Sequence, residues 1–179
     1  MQKKGYSFGV GELIHADHGT RIRMELEESE LFSIDENIIF KPPLKADVTF
    51  MKIDNAIHVN LENIMLNLQL ICSKCLSKFI YKMKIPQAER VYYFEKQRGI
   101  EMDDIDTFYV DMKRLVIDLK EFLRQEIILH FPQVQVCLKS CKGLCSKCGS
   151  NLNKGRCKCA GSDYQNKPLS VLKKLYNKF

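Results

Sequence analysis

Cysteines are the residues of this chain best suited to chemistry, and most of them are crowded into one segment. The stretch CLKSCKGLCSKCGSNLNKGRCKC, residues 137–159, holds six of the eight, and Cys72 and Cys75 form a separate pair. Thiols this close together can form disulfides, exchange electrons, bind a structural metal or hold a catalytic zinc. Each of these uses requires different neighbours, which the rest of the sequence either has or lacks.

The spacing of the cysteines is typical of structural metal sites. Zinc in such a site takes four ligands in a tetrahedron, and two thiolates three positions apart in a tight turn can reach one ion. Cys72 with Cys75 and Cys145 with Cys148 both have this spacing, and Gly149 suits the turn after the second pair. The sequence therefore predicts metal binding through thiols.

The eight thiols divide into two sites of four with none left over. We predict a short zinc ribbon formed by Cys145, Cys148, Cys157 and Cys159, and a second site formed by Cys72, Cys75, Cys137 and Cys141. Cys141 and Cys145 could exchange places, so the partition stays open at the level of sequence. Four thiolates suit iron as well as zinc, and we expect two zinc ions with iron as the alternative.

Disulfide and redox uses are the main competitors of metal binding. No apolar, signal-like stretch follows Met1. We therefore expect a cytoplasmic protein, or one of the plastid stroma if it comes from a plant, and thiols stay reduced in such compartments. No run approaches the roughly 20 apolar residues of a membrane span, so no membrane partner is expected. A thioredoxin-like site needs a βαβ unit, whereas Cys72 and Cys75 lie between two predicted strands.

Enzymatic use of the cysteines requires companions that the sequence lacks. A catalytic zinc keeps an open position and normally takes a His or carboxylate ligand, but residues 137–159 contain no His. His15 and His18 are spaced like metal ligands, yet such a pair is more typical of a loop. There is also no Ser/His/Asp set and no phosphate-binding glycine-rich loop. We therefore expect a non-enzyme without a small-molecule substrate.

Positive charge is concentrated in the same part of the chain as the cysteines. Residues 137–179 carry ten Lys or Arg against one acidic residue, Asp163, whereas the rest of the chain is slightly acidic. A basic surface of this kind fits a polyanion such as RNA. The predicted RNA contacts are Lys142, Lys147, Lys154, Arg156 and Lys158. The same composition is equally typical of a surface that only keeps a protein soluble.

Strands are the first elements that must position these residues. Leu66, Leu68 and Leu70 alternate with polar residues, and after the turn from Cys72 to Cys75 the alternation resumes over residues 78–85. Two such strands joined by a short turn predict an antiparallel hairpin. Another strand is expected near residues 20–26.

Helical spacing replaces alternation further along the chain. Leu119, Phe122 and Ile127 recur at helical intervals before Pro132, so we predict one long helix at about residues 113–131. A second, amphipathic helix is predicted from Pro168 onward. The predicted fold class is α+β: an antiparallel sheet or partly open barrel with the long helix in residues 1–132, then a small cysteine-rich zinc ribbon and the C-terminal helix in residues 133–179.

These motifs together resemble a known family. CSKCLSKF after an alternating strand, CKGLCSKCGSNLNKGRCKC far downstream and PLSVLKKL near the end are similar, in order and spacing, to the YceD family of large ribosomal RNA subunit accumulation proteins. The resemblance covers roughly residues 45–179. It implies a role in the accumulation of large-subunit (23S) ribosomal RNA in bacteria or plastids, and therefore in ribosome assembly or precursor RNA stability.

Charge and resemblance together lead us to expect a non-enzymatic assembly factor. Its metal-stabilised basic surface would bind ribosomal RNA or a large-subunit precursor. The competing interpretation is a protein-interaction module, in which the ribbon and the apolar stripe of the C-terminal helix (Leu172, Leu175 and Phe179) dock onto a ribosomal protein or another assembly factor. The two differ in salt dependence, which is steep for phosphate contacts and shallow for an apolar interface.

Overall fold

The structure is a computed structural model that describes residues 3–29, 39–95 and 107–159. The chain divides into two compact units. We call Met1–Leu70 with Lys78–Gln135 the sheet unit, and Ile71–Ser77 with Val136–Phe179 the cysteine unit. The sequence predicted a single division near residue 132, and the structure in addition assigns the turn after Leu70 to the cysteine unit.

Strands make up most of the sheet unit. In chain order they are β1 (Lys3–Lys4), β2 (Ser7–Gly9), β3 (Arg21–Glu28), β4 (Ile39–Ile53), β5 (Ala56–Ile71), β6 (Lys78–Tyr93), β7 (Phe108–Tyr109) and β8 (Val116–Asp118). A five-stranded sheet has the order β3-β4-β5-β6-β7, and a three-stranded sheet has the order β1-β2-β8. β4 pairs antiparallel with both β3 and β5, whereas β6 and β7 pair in parallel.

Alternation along β5 is the clearest link between the sequence and this sheet. Leu66, Leu68 and Leu70 are buried, with 2%, 0% and 2% of their surface exposed, while Asn67 and Gln69 between them are only half-buried. Successive side chains of a strand point to opposite faces, so the leucines face the core and the amides face outward. The predicted sheet is therefore confirmed in this region.

The predicted long helix is shorter than the sequence suggested. Besides the one-turn helix α1 (Gly11–Ile14), the described residues contain α2 (Lys120–Leu129), which has 10 residues. The segment before it is strand β8, where Ile117 pairs with Phe8 of β2. The Asp118 carboxylate then accepts a hydrogen bond of 2.8 Å from the Lys120 amide at the start of α2. Pairing of Ile117 in a sheet, which local spacing does not reveal, is what displaces the helix start.

One core serves both sheets and α2. Phe8 of β2 and Phe50 of β4 are fully buried with ring centroids 5.2 Å apart, and Phe122 of α2 belongs to the same cluster. The Arg90 guanidinium of β6 lies 5.0 Å from the Phe122 ring and donates a hydrogen bond of 3.1 Å to Glu126. These contacts pack α2 against β6.

Two other expectations concern the helices. The predicted C-terminal helix from Pro168 lies outside the described residues. Among the helices that the described ranges contain, none has the length and apolar character needed to cross a membrane.

Candidate metal centres

The first thiol cluster joins residues that are distant in sequence. Cys72 and Cys75 lie in the turn between β5 and β6, and Cys137 and Cys141 follow the sheet unit. The four Sγ atoms all lie within 4.8 Å of one another, with Cys72 to Cys141 at 3.8 Å and Cys75 to Cys137 at 3.6 Å. Tetrahedral zinc with Zn–S bonds of about 2.3 Å requires sulfur atoms roughly 3.8 Å apart. The donor set therefore fits a tetrahedral metal ion.

Burial and hydrogen bonding act in opposite directions on the thiols of the first cluster. Burial works to raise the pKa of Cys72, but hydrogen bonds from the backbone amides of Cys137, Cys75 and Lys74 outweigh it and lower the pKa to about 6. Burial, followed by hydrogen bonds with neighbouring thiols, raises the pKa of Cys137 to about 12. One thiolate is thus formed easily and another only with difficulty. Binding of a metal cation would release the remaining protons.

The second thiol cluster is contained in the 15-residue stretch that the sequence singled out. Cys145, Cys148, Cys157 and Cys159 also have Sγ atoms within 4.8 Å of one another. Cys148 is exposed and the other three are half-buried, whereas Cys72, Cys75 and Cys141 of the first cluster are buried. The structure thus groups the eight cysteines as the spacing predicted, and all eight are free thiols. The two clusters differ mainly in their access to solvent.

Hydrogen bonding sets the protonation of the second cluster. Hydrogen bonds from the side chain and backbone of Ser150 lower the pKa of Cys148 to about 6, and the two side-chain atoms Sγ and Oγ are 3.2 Å apart. The hydrogen bond with Cys148, followed by burial, raises the pKa of Cys159 to about 11. Each cluster therefore combines a readily ionised thiol with one that stays protonated without a cation.

The two C-x₂-C turns are copies of one another, which the sequence analysis missed. Residues 72–77 read CSKCLS and residues 145–150 read CSKCGS. In each turn the first cysteine donates its amide to the carbonyl of the final serine, Ser77 at 2.9 Å and Ser150 at 2.8 Å. Leu76 and Gly149 occupy the same position, and both have positive φ, at 56° and 69°. The repeated letters were the signal that could have revealed the shared turn.

Serine is a functional residue that cysteine spacing alone did not predict. Hydrogen bonds from Ser77 lower the pKa of Cys75, as those from Ser150 lower the pKa of Cys148. A hydroxyl two positions after the second cysteine therefore favours the thiolate in both turns. Thiolate is the form that binds metal, so the serines support the ligands that they contact.

Two asparagines connect the parts of the cysteine unit. Asn153 accepts a hydrogen bond of 2.8 Å from the Lys142 amide, and its own side-chain NH₂ donates to Cys141 Sγ at 3.3 Å. The Asn151 NH₂ donates to Ser77 Oγ at 3.0 Å, while its oxygen accepts from the Asn153 amide. In the structure their amide groups are engaged within the cysteine unit.

Comparison with known proteins places the chain in a family. A family model described as large ribosomal RNA subunit accumulation protein YceD matches residues 63–176, a range that includes both thiol clusters. The chain belongs to the YceD family. The resemblance seen in the sequence is thereby confirmed, and membership supports a ribosome-related role.

A curated relative shares a short part of this YceD-family chain. The chain is 42% identical over 43 residues to the large ribosomal RNA subunit accumulation protein YCED homolog 1, chloroplastic, of Arabidopsis thaliana. The aligned stretch covers 24% of this chain and 13% of that protein. No solved structure matches the chain.

The predicted RNA contacts of this YceD-family chain all lie on the surface of the cysteine unit. Their side chains are exposed, and they are Lys142, Lys147, Lys154, Arg156 and Lys158. The fold adds Lys74 to the same unit, because the first C-x₂-C turn belongs to it and Lys74 is exposed there. Lys74 occupies the position in its turn that Lys147 occupies in the other. Sequence reasoning did not select Lys74, since it lies far from the main cysteine segment.

Proposed function

We propose that this chain is a non-enzymatic ribosome assembly factor that supports accumulation of large-subunit (23S) ribosomal RNA. It binds ribosomal RNA or a large-subunit precursor through the basic surface of the cysteine unit, and two zinc ions hold that surface in shape. The compartment is the cytoplasm, or the plastid stroma in a plant. The single observation that carries the proposal is that two sets of four clustered thiols and the exposed cations belong to one small unit.

The thiol sets support a structural use of the metal. Four thiolates satisfy a zinc ion completely, whereas a catalytic zinc keeps one position for water or substrate. When bound, zinc supplies cross-links between residues that are far apart in sequence and favours the folded form of the unit. Iron suits the same four sulfurs and would serve the same structural purpose.

The charges support RNA as the partner. Lys142, Lys154, Arg156 and Lys158 are exposed and lie on the loops that the thiols hold. Each phosphate that such a cation neutralises releases counterions, so affinity falls steeply as salt rises. The printed names of both the family and the Arabidopsis relative refer to large ribosomal RNA subunit accumulation.

Charge reversal on the cysteine unit tests the RNA part of the proposal. We expect Lys154→Glu with Arg156→Glu to weaken binding to large-subunit ribosomal RNA more than tenfold at about 0.1 M salt, because two phosphate contacts become repulsive. The matched control is Lys113→Glu with Lys120→Glu, which makes the same charge change at exposed positions of the sheet unit. Metal content by mass spectrometry checks the cysteine unit of each variant, and circular dichroism checks the sheet unit.

Equal affinity in the two double variants would defeat the RNA part of the proposal. A shallow salt dependence of binding to precursor particles would instead favour docking onto a ribosomal protein or another factor. Turnover of a substrate by the purified chain would contradict the non-enzymatic part.

A further inference from the structure

The five-stranded sheet has an outer face whose character changes from one end to the other. On β5, Leu66 and Leu68 are buried, so Asn67 and Gln69 lie on the outer face. On the neighbouring strand β4, Lys41 pairs with Asn67. Lys41 is exposed, which places a cation beside the two outward amides.

Strand β6 extends this face on the other side of β5. Met83 and Ile85 are buried, with 3% and 0% of their surface exposed. Lys82 and Lys84 alternate with them along the strand and therefore point outward. Lys78 has the same parity on the strand and is also exposed. Three lysines of one strand therefore share one side of the sheet.

Aliphatic side chains are interleaved with these lysines. Ile39, Met65 and Ile80 are 47%, 45% and 50% exposed, and each lies on β4, β5 or β6 in this region. We define the lysine face as the outer-face residues at this end of the sheet, which are Ile39, Lys41, Met65, Asn67, Gln69, Lys78, Ile80, Lys82 and Lys84. The exposed aliphatic groups give this face apolar contact area beside its charges.

The lysines of this face have no carboxylate partners within the part of the chain that the structure describes. None of Lys41, Lys78, Lys82 and Lys84 takes part in an ion pair there, whereas Lys45, the next outward lysine on β4, pairs with Glu27 at 2.9 Å. Among the described residues, the positive charge of the lysine face is therefore left without an ion-pair partner.

Acidic residues are found on the other part of the same outer surface. Glu25 of β3 pairs in register with Asp47 of β4, and Asp47 pairs with Glu62 of β5. That part also carries Arg21 and Arg23 of β3 and the Lys45–Glu27 ion pair, so charges of both signs are mixed there, whereas the charged residues of the lysine face are all cations. A cluster of one sign gives the lysine face a field that attracts a polyanion.

The dimensions of the face suit several phosphate contacts at once. Lys78 and Lys84 are six positions apart on an extended strand, or about 20 Å at 3.3 Å per residue. Lys41 lies two strands away from β6, or about 10 Å at the usual strand separation. Neighbouring cations are thus within or near the screening length of about 8–10 Å at physiological salt, so their fields reinforce one another.

We propose that the lysine face is a second RNA-binding surface of this protein, separate from the cysteine unit, and the proposal rests on the proposed function in ribosomal RNA accumulation. The lysines neutralise phosphates, and Asn67 and Gln69 offer hydrogen bonds to phosphate, sugar or base groups. The aliphatic side chains contact sugars and bases. Charge complementarity and the amide groups favour RNA over a protein partner.

Neutralisation on this face tests the proposal through the salt dependence of binding. The full-length metal-loaded chain is titrated with large-subunit ribosomal RNA over a range of salt concentrations. Lys82→Gln with Lys84→Gln removes two cations of the lysine face, and Lys113→Gln with Lys120→Gln is the matched control on the same unit. Lys154→Gln with Arg156→Gln probes the cysteine unit separately. Circular dichroism and thermal unfolding check the fold of each variant.

We expect the Lys82 and Lys84 double variant to reduce the slope of log affinity against log salt by about 1.4 to 1.8, since each phosphate contact contributes about 0.7 to 0.9. Its affinity should fall on the order of tenfold at about 0.1 M salt. The control variant should match the wild-type slope.

The outcomes separate this proposal from the function on which it rests. If the Lys82 and Lys84 variant behaves like the control while the Lys154 and Arg156 variant binds more weakly, the lysine-face proposal is wrong and the proposed function stands. If all three variants bind like wild type, both proposals fail. Weaker binding to precursor particles with unchanged affinity for naked RNA would assign the face to a protein partner and overturn the RNA proposal.

Discussion

The side-chain amide of Asn153 donates a hydrogen bond to Sγ of Cys141, 3.3 Å away. Asn153 lies in the loop between Cys148 and Cys157, which belong to the second thiol cluster, whereas Cys141 belongs to the first. Cys141 of the first cluster is thus contacted by a loop whose two ends, Cys148 and Cys157, belong to the second cluster. Metal binding at the second cluster should therefore influence the first.

Replacement of Asn153 should weaken the first metal site. Hydrogen-bond partners of metal ligands typically account for 10- to 100-fold in affinity, so we expect Asn153→Ala to lower the metal affinity of the first cluster by about that factor. Cadmium NMR, in which each site gives its own signal, can be combined with chelator competition to follow the sites separately. Lys154→Ala, at the next and exposed position, serves as the control. Equal metal affinities of the first cluster in the two variants would argue against a role of Asn153 in orienting Cys141.

Solvent access should make the two sites lose metal in sequence. Cys72 and Cys141 of the first cluster are 0% and 8% exposed, whereas Cys148 of the second is an exposed residue. We expect a chromophoric chelator to remove one metal ion quickly and the other slowly. Stopped-flow absorbance would resolve the two phases.

Loss of a single ligand identifies which site gives the fast phase. Cys148→Ser should abolish the fast phase of metal release and leave the slow one, because only the second cluster loses a ligand. A variant that instead loses the slow phase would reverse the assignment of the sites.

The grouping of the cysteines could be predicted from the sequence because its information is local. A C-x₂-C turn needs only two thiols and a few turn residues, and counting the remaining cysteines leaves few ways to complete two tetrahedra. The role of Asn153 could not be predicted, since its contact with Cys141 depends on how the loop folds back. The repeat CSKC-x-S was visible in the sequence and would have identified the serines.

The sequence predicted the strands that have one buried face. It did not predict a strand whose partner is far away in the sequence. Leu66, Leu68 and Leu70 alternate because β5 has one face in the core, and that pattern is legible. Ile117 looked helical because its neighbours Leu119 and Phe122 have helical spacing. Its pairing with Phe8 joins positions more than a hundred residues apart, and a local pattern contains no trace of such a contact.

The equivalent positions Leu76 and Gly149 should respond to substitution in opposite ways. Both have positive φ, a conformation that costs an L-residue roughly 1–2 kcal/mol and glycine very little. Gly149→Ala should destabilise the metal-loaded protein by about 1 kcal/mol, because no atom lies within 4 Å to oppose the new methyl group and backbone strain is the main effect. Leu76→Gly should leave stability unchanged or raise it by up to about 1 kcal/mol, since Leu76 is 64% exposed and loses little burial.

Gly143 offers a stricter comparison with Gly149. Its φ is also positive, at 73°, but a methyl group there would lie 3.1 Å from the carbonyl oxygen of Lys74. We expect Gly143→Ala to cost more than Gly149→Ala, about 2–3 kcal/mol, since close contact adds to strain. Urea unfolding of the metal-loaded variants measures the differences. Equal losses at the two glycines would show that the contact with Lys74 does not matter.

Tyr92 should make the sheet unit sensitive to alkaline pH. Tyr92 is 2% exposed, and its hydroxyl donates a hydrogen bond of 3.2 Å to the backbone carbonyl of Asp118. Burial, followed by repulsion from the Asp118 carboxylate, raises the pKa of Tyr92 well above its ordinary value of 10.0, although Arg90 opposes the shift. The folded state thus favours the neutral phenol. The stability this provides is complete below pH 10 and is lost as pH rises from about 10 toward the folded pKa.

Tyr92→Phe separates this effect from the other groups that titrate at high pH. At pH 8 the variant should be less stable by about 1 kcal/mol, because the hydrogen bond to the Asp118 carbonyl is lost. Above pH 10 only the wild type loses about 1.4 kcal/mol of stability per pH unit, because its folded state keeps this phenol neutral. The stability difference between wild type and variant should therefore shrink and reverse near pH 11. Guanidinium unfolding followed by circular dichroism at pH 8, 10 and 11 provides the comparison, and Tyr6, whose pKa is raised to about 12, contributes equally to both proteins. A stability difference that stays constant across this range would show that ionisation of Tyr92 is not coupled to folding.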